Sequence, residues 1–360
     1  MTRPAQVILD LPALSHNLVR VRQLAPGRRI MAVIKANAYG HGMVKAAKAL
    51  GDADAFAVAC LDEAVILREA GISQPLVVLE GFFDAAELPL LTRHQLITVV
   101  HHDDQVALLE HNPLSAPLSV WIKVDSGMHR LGVAPDKLAE VWRRLNACPS
   151  LQVLGFMTHL ANADYRNDPL TLQQVNIFNQ AIEPYPGQSS LANSAAVLTW
   201  PQTHGDWVRP GIMLYGVSPF ADSVGDTHGL KPVMSLHSRL MAVNYFKRGD
   251  RVGYGGAWEC PEDMPVGVVA IGYGDGYPRH AKTGTPVLVN NKRVPLIGRV
   301  SMDMICVDLR GQPRARGGDP VCLWGTALPV EEIARYAGTI PYELLCRVTS
   351  RVHIQSGEVS

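Results

Sequence analysis

The stretch from residue 30 to residue 71 runs IMAVI (Ile30–Ile34), MVKAAKAL (Met43–Leu50), AFAVA (Ala55–Ala59) and LDEAVILREA (Leu61–Ala70), closed by Gly71. Short, wholly apolar runs alternate here with segments of helical periodicity. An apolar run of strand length describes a strand buried on both faces, and a glycine after a periodic run stops a helix. The alternation continues through Pro75–Leu79, Ile97–Val100, Leu118–Val124, Val153–Met157, Ser189–Ala192 and Trp207–Tyr215. Eight βα units predict an α/β fold with an N-terminal (β/α)8 TIM-like barrel. An open doubly wound sheet alternates in the same way and stays open as an alternative.

Beyond about Leu230 the pattern changes to β-branched runs separated by Gly, Pro and Asn: Val266–Ile271, Pro286–Val289, Val294–Ile297 and Met304–Val307. This predicts a C-terminal, mostly-β domain. The turn-rich SVGDTHGLKP (Ser223–Pro232) marks the junction, giving a barrel over 1–230 and a β domain over 231–360.

The chain has 360 residues, 47% of them apolar, enough for a large core and two domains. Lys plus Arg and Asp plus Glu balance at 33 each, so no global field draws a nucleic acid or an anionic membrane, and a small molecule is the expected partner. The start, MTRPAQVILDLPAL, lacks the pattern of a secretory signal, and the apolar runs fall short of the ~20 residues that span a bilayer. Six scattered cysteines without a C-x-x-C pair fit free thiols in a cytoplasmic protein and offer no metal site.

Chemistry-bearing residues gather where strands end. In KANAYGHG, Lys35 leaves an apolar strand, where poor solvation disfavours its charge and favours a Schiff-base nucleophile. The alternative is a lysine whose stem lies along apolar surface with its head in water. WIKVDSGMHRLG crowds Lys123, Asp125, His129 and Arg130 into one turn, as either a site or a rim network of ion pairs. His159 follows the sixth strand in THLANAD, structural or functional. ANSAA and VRPGIMLYG place Asn193, Ser194, Arg209, Gly211 and Ile212 at the last two strands, where barrels commonly bind phosphate. The spacing of Gly272, Gly274 and Gly276 is no dinucleotide loop, because Pro278 denies it the following helix.

Taken in order, KANAYGHG, KVDSGMHRLG, THLANAD, NSAA, VRPGIMLYG, VGYGG, GYGDGYPR and GRVSMDM closely resemble the alanine racemase family over nearly the whole chain. The resemblance implies pyridoxal 5'-phosphate (PLP) as cofactor, Lys35 as the lysine joined to it, and Tyr39, Ser194, Gly211 and Ile212 around its phosphate, with Asn193 and His159 also at the cofactor. Arg209 would face the pyridine nitrogen. Guanidinium has no acceptor, so that nitrogen stays unprotonated and the ring is a weaker electron sink, which suits proton return over transamination. Lys35 and Tyr254 would be the bases on opposite faces, Tyr254 coming from the partner of a homodimer. A free phenol has a pKa near 10, and His159 and Arg130 match the residues placed to help it. Arg130 and the backbone at Met302 would hold the substrate carboxylate, with Asp303 in support. Lys123 matches a lysine often carbamylated, and Tyr273 an entrance residue that suits a small substrate such as alanine.

Some relatives carry a phosphate-contacting tyrosine where TSRV offers Ser350, and that contact stays unassigned. A decarboxylase of the same class pairs the pyridine with a carboxylate, against Arg209, and a PLP carrier lacks the β domain. A broad-specificity racemase shares both bases and differs only in pocket size. Whether D-alanine is made for peptidoglycan or L-alanine consumed is not written in the residues.

Overall fold

A computed structural model describes residues 3–357, which divide into two compact units. The first comprises residues 17–38 and 42–214. Its eight strands, Arg29–Val33, Ala55–Val58, Leu76–Val78, Ile97–Val100, Leu118–Lys123, Leu151–Met157, Gln188–Ser190 and Trp207–Val208, form a closed barrel. All neighbours are parallel, and closure comes from Arg29 opposite Trp207 and Ile30 opposite Val208. The strands AFAV and LVV are buried at every residue, as expected of parallel strands covered by helices outside and side chains within. The helix Leu138–Asn146 shows how the covering works: Leu138, Val141 and Leu145 lie on one apolar stripe and are buried, while Arg143 and Arg144 occupy its last turn, where cations favour the helix dipole.

The second unit holds residues 3–16, 39–41 and 215–357. Its main sheet runs Met264–Val269, Ile305–Asp308, Lys292–Ile297, Pro286–Val289, Pro320–Trp324, Met234–Phe246, Gln6–Leu9 and His353–Ser356. Met234–Phe246 also pairs with Met264–Val269, so six of these strands close on themselves. The short helices Val330–Ala337 and Pro341–Cys346 belong to the same unit.

The division therefore differs from the expected boundary at 230/231. It falls between Leu214 and Tyr215, and the chain's start joins the β unit. The reason is strand pairing: Gln6–Leu9 lies antiparallel to Met234–Phe246 and parallel to His353–Ser356, with Gln6 opposite both His237 and His353. Residues 39–41 join it because the Tyr39 ring lies 4.8 Å from that of Tyr215 and 5.9 Å from that of Tyr342.

Candidate active site

Within the barrel unit, the expected residues collect at the C-terminal ends of the strands, the rim where barrel enzymes carry their chemistry. Lys35 follows the first strand, Lys123 ends the fifth, His159 follows the sixth, Ser194 the seventh and Arg209 the eighth. The backbone after Lys35 is unusual. Ala36, Asn37, Ala38 and Tyr39 all have φ between 51° and 56°, a full left-handed turn built without glycine. Each such residue costs roughly 1–2 kcal/mol, and strain of this kind persists only where surrounding contacts over-determine it. Those contacts are visible: Ala38 N–H donates to Ile34 O (2.8 Å), Gly42 N–H to Asn37 O (2.9 Å), and Met43 N–H to Asn37 Oδ1 (2.9 Å).

Around Lys35 the rim is cationic. Burial first, and then the charges of Arg209, Arg130 and Lys35, lower Lys123 from 10.5 to about 8, with Asp125 opposing. Burial and the same cationic field, with Lys123 added, lower His159 to about 3, so its ring is neutral at physiological pH. Buried Gln174 holds the His159 loop, its Nε2 donating to His159 O (3.1 Å) and its Oε1 accepting from Ala161 N–H (2.8 Å).

Arg209 is buried and fixed on three acceptors: Ser190 Oγ (2.6 Å), Thr158 O, and Leu191 O (3.4 Å). Burial lowers its pKa to about 10, so it still carries its charge at neutral pH. These bonds use three of the five guanidinium N–H groups, and the rest can only donate. Ser194 Oγ accepts from Gly211 N–H (2.8 Å) and Met213 N–H (3.3 Å), which directs its own proton to a third partner. Ile212 opens the short turn Ile212–Tyr215. Asn193 is the N-cap of Ser194–Thr199, its Oδ1 accepting from Ala196 N–H (3.0 Å), a positioning duty.

Arg130 is exposed at the end of a turn organised by Asp125, whose Oδ1 accepts from the N–H groups of Gly127, Met128 and His129. Burial alone would raise the Asp125 pKa, but these bonds and the His129 ring hold it below its usual value. His129 takes φ +54°, the kind of outlier that marks a built turn.

In the β unit, Tyr39 is nearly enclosed, and burial foremost, followed by the nearby Cys346, pushes its phenol well above the ordinary range, so it remains a hydroxyl donor. Tyr254 is 68% exposed in a turn between the paired strands Arg251–Val252 and Trp258–Glu259. Tyr273 and Met302 are exposed too, and Asp303 joins Arg351 through a 2.5 Å contact. Asp275, which sequence reading did not single out, is fully buried beneath them. Its carboxylate accepts Arg3 Nε (3.0 Å) and Arg3 Nη2 (2.5 Å), lies 3.5 Å from Arg351 Nε, and accepts Gly272 N–H (2.9 Å). Its aspartate stood inside the quoted GYGDGYPR motif, but its partner Arg3 is 272 positions away, beyond any local signal.

Among the described residues, no group of three or more His, Cys, Asp or Glu side chains could hold a metal ion, and no helix is long and apolar enough to cross a membrane.

Fold and rim together define a barrel enzyme with a strand-end lysine in a cationic, donor-rich setting. The family model for the alanine racemase N-terminal domain matches residues 9–219, and that for the C-terminal domain residues 233–356. An alanine racemase of Nitrosococcus oceani is 56% identical over 348 residues, 96% of this chain and 98% of the relative. The biosynthetic alanine racemase of Escherichia coli K12 is 53% identical over 97% of this chain and 98% of its own length. The crystal structure of biosynthetic alanine racemase from Pseudomonas aeruginosa superposes with a TM-score of 0.97 at 47% identity, covering 99% of this chain and 100% of that one. The chain belongs to the alanine racemase family, and its enzyme class is that of the alanine racemases.

Proposed function

We propose that the protein interconverts L- and D-alanine with PLP, using Lys35 and Tyr254 as the two bases. The observation that carries this reading is the composition of the barrel rim: Lys35, Arg130 and Arg209 all lie close enough to Lys123 to lower its pKa, opposed by Asp125. Such a surplus of donors fits a multiply anionic cofactor and a substrate carboxylate. PLP fits this donor set: Lys35 to hold it covalently, Ser194 with a directed hydroxyl and Tyr39 with a protonated phenol for its phosphate, and Arg209 for its ring nitrogen. When bound, it supplies the electron withdrawal that acidifies the substrate Cα–H.

The chain's own groups then do the rest. Lys35, on its fixed turn, moves a proton at one face of Cα. Tyr254, exposed on the β unit, is the base that a second copy of the chain offers to the other face, so the working form is a homodimer. Because the product is a mirror image, each face needs its own base. Arg130, aimed by the Asp125 turn, holds the substrate carboxylate together with the backbone at Met302, and Tyr273 narrows the entrance. Lys123 at about pKa 8 keeps a usable neutral fraction at physiological pH, the form that adds carbon dioxide. The carbamate formed would neutralise part of the field and orient Arg130. The "biosynthetic" names of the Escherichia coli and Pseudomonas aeruginosa relatives support a role in supplying D-alanine for peptidoglycan, and six free thiols support a cytoplasmic enzyme.

The test is L-alanine with PLP in deuterated water, following optical rotation and deuterium at Cα, beside L-serine and L-lysine. Alanine is expected to racemise with exchange and the others not; racemisation of all three makes it a broad-specificity racemase. Tyr254→Phe is expected to retain PLP and lose at least 10²-fold in rate. Near-normal activity in that variant rules out the two-base assignment.

A further inference from the structure

The left-handed turn after Lys35 is held from outside by a carboxylate that the chemistry above does not use. Glu63 lies in the first turn of the helix Leu61–Glu69, which follows the second barrel strand. Its Oε1 accepts from Ala36 N–H at 2.7 Å and from Asn37 N–H at 3.4 Å, and its Oε2 accepts from Ala59 N–H at 2.9 Å. One side chain thus ties the two N–H groups directly after Lys35 to the end of the neighbouring strand. The same two residues begin the run of positive φ angles, at 52° each. Without a partner, those N–H groups would favour reversion to right-handed or extended backbone, which would swing the Cα–Cβ bond of Lys35 away from its present direction. A lysine has four rotatable bonds beyond Cα, so a fixed stem is the main device by which a barrel can aim its ammonium group.

We propose that Glu63 is a positioning residue for Lys35: by clamping the left-handed turn to the second strand, it sets the aim of Lys35 Nζ for both cofactor attachment and proton transfer. The inference rests on the reading of Lys35 as the PLP lysine and base. Bonds to a charged acceptor are the stronger kind, and three donors on one carboxylate leave no equivalent neutral replacement, because an amide offers one acceptor oxygen and one opposing donor.

The experiment uses the holoenzyme of the unsubstituted protein, of Glu63→Gln, and of the double variant Glu63→Gln/Ala36→Gly. Three quantities are read: amide hydrogen exchange at Ala36, Asn37 and Ala59; the fraction of Lys35 carrying PLP after borohydride reduction and peptide mapping; and the deuterium isotope effect on turnover of each alanine enantiomer. In Glu63→Gln the three amides are expected to exchange at least tenfold faster, PLP attachment at limiting cofactor to fall, and the rate to drop about 10²-fold, the usual cost of a misplacement near 1 Å. The isotope effect should rise for the enantiomer whose Cα–H faces Lys35 and fall for its mirror image, whose second proton transfer, also at Lys35, then limits turnover. Glycine at position 36 takes positive φ without cost, so the double variant should recover at least tenfold of the lost rate. Isotope effects that change equally for both enantiomers, or a double variant no better than the single one, would overturn the positioning role, whatever happens to stability. If the unsubstituted protein takes no PLP on Lys35, the functional reading fails instead, and the exchange rates still decide whether Glu63 holds the turn.

Discussion

Replacing Asp275 with Asn tests how the exposed face carrying Tyr273 and Met302 is anchored. In the native protein every acceptor on this carboxylate is taken: Oδ1 by Arg3 Nε, with Arg351 Nε 3.5 Å away, and Oδ2 by Arg3 Nη2 and Gly272 N–H. An asparagine amide points its NH2 group at one of these two sets in either orientation, so a donor always faces a donor. Breaking a fully buried pair costs about 3–5 kcal/mol. Arg3 is 27% exposed and Arg351 40%, so water takes up part of their charge, and the expected loss is about 2–3 kcal/mol. At roughly 2.1 cal/mol/K per residue the unfolding entropy of a chain this long is about 0.75 kcal/mol/K, so the melting temperature should fall by about 3 °C if the chain unfolds as one. Scanning calorimetry of Arg3→Gln, Asp275→Asn and the double variant completes the assay. The two single losses should overlap, with a coupling of about 2 kcal/mol, because both remove one interaction. Additive effects, or a single-variant loss below about 0.5 kcal/mol, would show that the network anchors nothing. The same variants should raise KM for alanine more than they lower kcat, since Tyr273 stands on the turn that Asp275 closes.

Two further outcomes follow from the rim. His159, at about 3 in the folded chain, binds no proton where the unfolded chain, at about 6.5, already does. Its contribution to stability is therefore unchanged above pH 7 and is lost as pH falls from 6.5 toward 3, by at most about 1.4 kcal/mol per pH unit and less where solvent reaches the ring. Proton NMR should show the ring neutral at pH 5, and His159→Gln should flatten the acid limb of the stability curve; a ring charged at pH 5 contradicts the cationic setting. For Lys123, growth of a 13C carbamate signal with added labelled bicarbonate should be steeper at pH 8 than at pH 6, and should vanish in Lys123→Met. A signal of equal size at both pH values would mean that Lys123 is already neutral at pH 6, against a pKa of about 8.

The barrel was legible because its strands are buried on both faces and so read as apolar runs, each bracketed by helix signals. The seventh strand, Gln188–Ser190, is the exception, a polar QSS with two of its three residues only partly buried. The β unit was legible where runs are β-branched, as in Val266–Ile271, and where hairpin neighbours such as Pro286–Val289 and Lys292–Ile297 sit close in sequence. Met234–Phe246, its longest strand, went unread, since SLHSRLMAVNYF mixes polar and apolar residues on a strand with several partners. Gln6–Leu9 is too short to announce itself, and both its partners lie more than two hundred residues away. At the site, residue types were readable from the motifs, whereas the geometry was not. No glycine among residues 36–39 warned of a left-handed turn, and nothing marked Glu63, an acidic residue in a helix's first turn like many others.

The pairing of Gln6–Leu9 with His353–Ser356 also sets an order on how the chain can be made. During synthesis the first strand leaves the ribosome long before its parallel neighbour exists, while all eight barrel strands lie between them in sequence and need nothing from either end to pair. A nascent chain can therefore close its barrel while Gln6–Leu9 waits unpaired, and one side of that strand is covered only once His353–Ser356 has been made. Late stalling would leave a finished barrel bearing an open, adhesive sheet edge.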